Sequence, residues 1–335
     1  VGSIAIPGDP LTSFDISYTD QASQIYALAD RSNAGVDLFS LSAGKFIGRA
    51  EGFVGLRLKD GKPSSKISGP NGVVMTAAEL WAGDGDSTVK IFDRASLMII
   101  AAIPTGGTTR LDEMESDPAD RIFIGVNNSE TPPFATLISE DKGHRVIGRV
   151  VFSEATDGAE QPAYNPADGL FYVSIPELAA APGREAGKGG VAVIDPKSAS
   201  LKKLIIIDGC HPTGLAFGPE GNFALGCAAS GDERPGTPII NAASGKIVAV
   251  VEGIGGADMV DYNAHNGQYY AVARYKGGAP MLHVIDATTN KLVQSLPLPG
   301  GGPHSVTSSE VTGEVYVPIG AVDGGDGTVH VFAPQ

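Results

Sequence analysis

The chain has 335 residues, 42% of them apolar and 19% charged, and a formal net charge of −14. That balance excludes a disordered polymer, and the acidic field repels phosphate backbones, so nucleic acid is not an expected partner. The densest basic stretch, Arg57, Lys59, Lys62 and Lys66, has no interleaved aromatic residue and reads as a solvated loop, and no apolar run reaches the roughly 18 residues that a membrane span needs.

In chain order, the first element is a short strand, SIAIPGD (3–9). It is followed by a strand–turn–strand segment, ISYTDQASQIYAL (16–28), then by GVDLFS and GKFIGRAEG. The same order recurs six more times. The strand–turn–strand segments are GVVMTAAELWAG (72–83), MESDPADRIFIGV (114–126), PAYNPADGLFYVS (162–174), GLAFGPEGNFALG (214–226), MVDYNAHNGQYYAV (259–272) and SVTSSEVTGEVYV (305–317). Third strands follow as STVKIFD, FATLISE, GVAVID, TPIINA, MLHVID and GTVHVFA; fourth strands as MIIAAIPTGG, HRVIGRVVF, KKLIIIDG, GKIVAVVEG and NKLVQSLPLPGG. No segment sustains a helical apolar period. Units of four strands recurring every roughly 40–55 residues define an all-β, seven-bladed β-propeller in one domain, 1–335. The 45 Gly and 23 Pro supply its many tight turns.

The seventh unit ends at GTVHVFAPQ without a fourth strand. SIAIPGD is written like the fourth strands IIAAIPTGG and QSLPLPGG, so 3–9 is expected beside 328–333, closing the ring and removing an open sheet edge.

In such a ring the start of each inner strand shares a face with the connection between second and third strands. Those connections are long at 176–190, 228–236, 274–280 and 318–327, whereas the turns at the other end (DPAD, NPAD, GPEG) are short. Function concentrates on long loops held by a rigid scaffold. At the mouth of each inner strand stands a polar or ionisable group: Asp15, Asn71, Asp112 with Glu113, Glu160 with Gln161, His211 with Thr213, Asp258, and His304. Clustered carboxylates repel one another unless they are protonated or bridged by a cation. A divalent metal ion of unspecified identity is therefore expected, with Glu160, His211 and His304 as first ligands and Asp112 and Asp258 next. Glu113 or Asp15 would then serve as base. The alternative is that these side chains only tie neighbouring blades together through backbone hydrogen bonds. The other histidines are read as structural: His144 and His265 in turns away from this face, His283 and His330 on third strands.

If Phe217 pairs with Asn222, Cys227 falls opposite Pro212 and close to Cys210. A Cys210–Cys227 disulfide is then within reach, with two free buried thiols as the rival; the bond would imply an oxidising compartment. Asn127-Asn128-Ser129 matches a glycosylation triplet. GDGDS (83–87) and DGGDG (323–327) resemble calcium loops but lack the twelve-residue frame. There is no G-x-S-x-G element. Residues 53–70 form an insertion on the long-loop face, either a lid or a surface loop.

The segments PTGLAFGPEGNFALG, GVAVIDPKS, HVIDATTNKLV and GPHSVTSSEVTGEVYVP resemble the YVTN-repeat, or YncE-like, exported propellers over nearly the whole chain. The resemblance implies a periplasmic or secreted protein whose leader peptide has been removed. More distant propellers, virginiamycin B lyase and the gluconolactonases, hold a divalent metal at the channel mouth, a ring similar in kind. The resulting expectation is an exported, metal-dependent enzyme that hydrolyses, cleaves or oxidises a small organic molecule. The alternative is a non-catalytic propeller that binds a ligand or a protein; exposed aromatic residues would favour it, and the loops offer few beyond Tyr275 and Phe134.

Overall fold

The computed structural model describes residues 2–141, 143–228, 236–274 and 278–333. Seven four-stranded antiparallel sheets form the blades of a propeller. The innermost strands, in ring order, are Phe14–Asp20, Val73–Met75, Met114–Asp117, Pro162–Asn165, His211–Phe217, Ala257–Asn263 and Thr307–Ser308. Second and third strands are apolar and buried on both faces, because each blade is sandwiched between two others; Ile122–Asn127 is buried at every position. Fourth strands lie at the rim and alternate, as in Lys291–Pro297, where every other residue faces solvent.

The cores lie between blades. Trp81 of blade 2 is fully buried and stacks on Phe123 of blade 3 with centroids 3.8 Å apart, a contact whose truncation costs about 3–5 kcal/mol in comparable cores. Tyr26 of blade 1 meets Tyr316 of blade 7 at 5.7 Å across the closure seam. Phe134, expected as an exposed loop aromatic, instead opens the third strand of blade 3 and is buried beneath the Arg149 guanidinium at 4.2 Å.

The ring closes as expected, over a shorter span. Gly2–Ala5 pairs antiparallel with Thr328–Phe332, Gly2 opposite Val331 and Ala5 opposite Thr328. The expected strand 3–9 stops there because Pro7 offers no N–H to a ladder and Gly8 turns at φ +116°. The segment is then held by blade 1: Arg49 donates to Pro7 O at 2.7 Å, and Asn33 accepts from Asp9 N at 2.7 Å and donates to Asp9 O at 3.0 Å.

The Cys210–Cys227 disulfide is present, with Cα atoms 5.2 Å apart, and Cys227 stands opposite Pro212 in the register. It ties the approach to blade 5 to that blade's second strand. Asn127 of the glycosylation triplet is fully buried and donates to Ser87 Oγ at 2.9 Å, so it is not a modification site. Of the expected loops 228–236 and 274–280, residues 229–235 and 275–277, Tyr275 included, lie outside the described residues. Among the described residues no helix is long and apolar enough to cross a membrane.

Candidate functional site

The polar entries of the inner strands meet at one end of the channel, and they divide into ties and charges. Three are ties. Asn71 donates to Leu111 O at 2.9 Å, joining blades 2 and 3. Gln161 accepts from Leu215 N at 2.9 Å, joining blades 4 and 5. Thr213 donates to Ala257 O at 2.7 Å, joining blades 5 and 6. For these positions the structural alternative is the correct one: each satisfies a backbone group that the blade junction would otherwise leave unpaired.

The charged entries include two cations that the sequence pattern did not single out. Arg31, in the turn after the second strand of blade 1, pairs with Asp15 and donates to Asn71 Oδ1 from Nη2 at 2.5 Å and from Nε at 3.1 Å. Arg110, on the approach to blade 3, pairs with Asp112 at 2.5 Å and Asp15 at 3.2 Å. Arg110 is itself held in place: its N–H donates to Lys66 O at 2.8 Å, and Asn127 donates to its carbonyl at 3.2 Å. Glu130 accepts from Thr108 N at 2.5 Å and Thr109 N at 2.7 Å, fixing the preceding turn. The sequence carried a signal for Arg110, since it stands two residues before the Asp112–Glu113 pair; Arg31 had none nearby.

The insertion 53–70 frames this corner. Its own structure is a small hairpin, Leu58–Lys59 with Lys62–Pro63, and a 3-10 turn, Ser65–Ile67. Leu56 N donates to Arg31 O at 2.8 Å, and Val54 N donates to buried Asp84, whose partner is Lys90. The insertion thus touches the backbones of both arginines.

The electrostatics follow from this placement. Burial opposes ionisation of Asp15, but Arg31, Arg110 and His304 outweigh it and hold the carboxyl well below its usual range. Asp112, 3% exposed, is pushed up to about 7 by burial and by Asp15, against the pull of Arg110. Glu113, 6% exposed, is raised well above the ordinary glutamate value by burial and then by Asp112, Glu160 and Asp258. Glu160 is raised well above its usual range by burial, Asp112 and Asp258, with Arg110 opposing. Asp258 is raised by burial and Asp15 against His304, Arg110 and Arg274. His304 stacks on Phe14 at 4.7 Å, donates from Nδ1 to Gly302 O at 2.8 Å, and places Nε2 3.5 Å from Asp15. Burial disfavours its charge, yet Asp15 and Asp258 raise its pKa.

Glu113, Glu160 and Asp258 have no hydrogen-bond or ion-pair partner among the described residues; Glu113 is buried, Glu160 half-buried and Asp258 exposed. His211, half-buried at the start of its strand, makes no ion pair with any of them. Among the described residues no three His, Cys, Asp or Glu side chains converge as a metal-binding group. The expected ligand set Glu160, His211 and His304 is therefore not assembled: His211 stands apart and His304 is engaged with Asp15. Of the remaining histidines, His144 joins Glu79 at 3.0 Å and His283 joins Ser295 at 2.8 Å, both structural.

No family model matches the chain, and no curated protein matches it. A chain of the solved "Crystal Structure of Mitotic Checkpoint Complex" aligns with a TM-score of 0.71 and 12% identity, over 95% of this chain and 89% of that one. At that identity the likeness is one of fold: a seven-bladed propeller scaffold. The resemblance to the YVTN-repeat propellers is not confirmed by any family match.

Proposed function

We propose that the protein is a ligand-binding propeller that seats a small polar molecule at the long-loop mouth of its channel. One observation carries this: the mouth gathers ionisable groups whose pairing is incomplete among the described residues. Asp15 and Asp112 are answered by Arg31 and Arg110, while Glu113, Glu160 and Asp258 have no ion pair among the described residues. Glu113 is buried, and a buried carboxyl left without a partner is costly; perturbed groups of this kind concentrate where a protein does its work. The disulfide supports placement in an oxidising compartment, outside the cell or in a periplasm.

Among the described residues the metal-dependent reading finds no support in the donor set, because no three such side chains converge. A second reading, acid–base catalysis on the bound molecule, is favoured by Glu113 and Glu160, whose carboxyls burial and neighbouring carboxylates raise well above the ordinary glutamate range.

The reading is tested by native mass spectrometry and amide NMR with a panel of small amines, acids and polyols. Bound ligand should shift resonances of the inner-strand entries, and Glu113→Gln with Glu160→Gln should weaken it. Shifts confined to another face, or binding indifferent to the double variant, would remove the mouth from consideration.

A further inference from the structure

The closing segment of the ring is fastened by a small buried charge cluster in blade 1. Beyond strand Gly2–Ala5 the chain is held by Arg49 at Pro7 O and by Asn33 at both backbone groups of Asp9. Gly8 between them has no room for a side chain: a β-carbon there would collide with Asn33 Oδ1 and stand 2.9 Å from Arg49 Nη1. Both holding side chains are in turn held by carboxyls. Asp37 accepts from Arg49 Nε at 2.5 Å and from Nη2 at 3.1 Å. Asp30 accepts from Asn33 N at 2.9 Å and from Asn33 Nδ2 at 2.6 Å, and its Oδ2 lies 3.5 Å from Arg49 Nη2. Both carboxyl side chains are 0% exposed. Two acids are thus buried against one guanidinium, and the cluster is neutral only when the pair carries one proton.

The count of donors makes this cluster responsive. Arg49 Nη2 has two N–H groups and three acceptors around it: Pro7 O at 2.7 Å, Asp37 at 3.1 Å and Asp30 at 3.5 Å. Asp30 is the acceptor left over. When both acids are ionised, Asp30 competes with Pro7 O for the same N–H, and a carboxylate is the stronger acceptor.

We propose that the ring closure is controlled by a proton: held by the Asp30–Asp37 pair, it leaves Arg49 free to clasp Pro7 O, and its loss draws Arg49 away and loosens residues 7–9 together with strand Gly2–Ala5. Burial and the neighbouring Asp30 push Asp37 up to about 7 against the pull of Arg49, and burial raises Asp30 as well. A carboxyl raised in this way contributes stability that is complete below its ordinary value of 3.8 and is lost as pH rises to the folded value. The closure is therefore tightest in acid and loosest above neutrality. The other charged and titratable groups around it are few. Glu51 shares the fourth strand of blade 1 with Arg49, Lys45 borders the groove beside Pro7, and Tyr26 lies buried near Asp37. On blade 7, His330 stands opposite Ser3, and burial lowers its pKa.

Hydrogen exchange of the full chain tests this, with residues 2–9 referenced to strand Asn222–Ala228 of blade 5 so that the intrinsic pH dependence of exchange cancels. Relative protection of 2–9 should fall by about tenfold or more between pH 5 and pH 7 and then level off, since one proton changes an equilibrium by at most about tenfold per pH unit. Asp37→Asn, which keeps the shape and removes the charge, should abolish that dependence. If Asp37→Asn does not give the wild-type circular dichroism spectrum, Asp30→Asn replaces it. His330→Gln should keep the wild-type profile. Protection of 2–9 that is constant or rises with pH overturns the proposal, as does a wild-type profile in the Asn variant. A dependence that disappears with His330→Gln assigns the switch to the histidine and overturns the carboxyl pair. Carboxyl-carbon NMR reads the pair directly: an Asp37 resonance that titrates near 3.8 also overturns it.

Discussion

The two halves of the channel mouth are built from the same strand positions and differ in how their carboxyls are partnered. On the side of blades 1 to 3, Asp15 and Asp112 lie against Arg31 and Arg110, and Asn71 braces the pair. On the side of blades 4 to 6, Glu160 and Asp258 stand without a described partner, and Glu113 stands at the divide. Asp15, with Arg31, Arg110 and His304 against it, falls below its usual range, whereas Asp112, paired with Arg110 alone, and Glu160, paired with neither guanidinium, rise above theirs. Burial alone therefore does not mark a functional residue at a propeller mouth. The mismatch between carboxylates and the cations sent to meet them does.

The largest effect that would break this contrast is removal of Arg110. Arg110→Ala leaves Asp15 and Asp112 buried with one guanidinium between them, and chemical denaturation should show a loss of about 3–5 kcal/mol. If stability instead stays within about 1 kcal/mol, the first half of the mouth is not held by charge pairing.

Next is the covalent tie beneath the second half. Cys210 and Cys227 are separated by 17 residues, and opening a loop of that size destabilises by about 3 kcal/mol in the chain-entropy description. Cys210→Ser with Cys227→Ser should lower the melting temperature accordingly, and wild-type protein should lose the same stability on reduction.

A smaller effect of opposite sign is expected from Glu160→Gln. The carboxyl's folded pKa lies above the ordinary value of 4.5, so its contribution to stability is complete below that pH and is lost as pH rises through the folded value. Melting curves across about pH 4.5 to pH 8 should fall less steeply for the variant, which gains on the order of 1 kcal/mol at the upper end. Asp15 works in reverse: its contribution is present above 3.8 and lost as pH falls. Identical pH profiles for wild type and variant would erase the difference between the halves. The smallest effect is a control: the pair Arg145–Asp141 is solvent-exposed, and Arg145→Ala should change stability by less than about 0.5 kcal/mol.

Much of the fold was legible because strands, turns and blade period are local properties. The expected pairing of Phe217 with Asn222 is off by one, since Phe217 stands opposite Phe223, and a register shift between Pro212 and Leu215 brings Cys227 opposite Pro212 all the same. Alternation along the inner strands put Glu113, Glu160 and Asp258 at the mouth. The closing strand was recognised by its likeness to other fourth strands, yet its end was misplaced, since Pro7 and the turn at Gly8 leave the ladder for contacts with Asn33 and Arg49 of another blade. The metal expectation treated all ring carboxylates alike because a residue string does not show which of them a cation reaches.

The sequence by itself determined the seven units, the closure by an N-terminal strand and the nearness of Cys210 to Cys227, because each follows from strand period, turn chemistry and neighbouring register. The charge state of the channel mouth was decided only in three dimensions. Arg31 follows Asp15 by 16 positions and Arg110 by 95, and both reach the same carboxylate. Coulomb interactions and burial act through space, so the ring had to close before any of its acids could be assigned a partner or left without one.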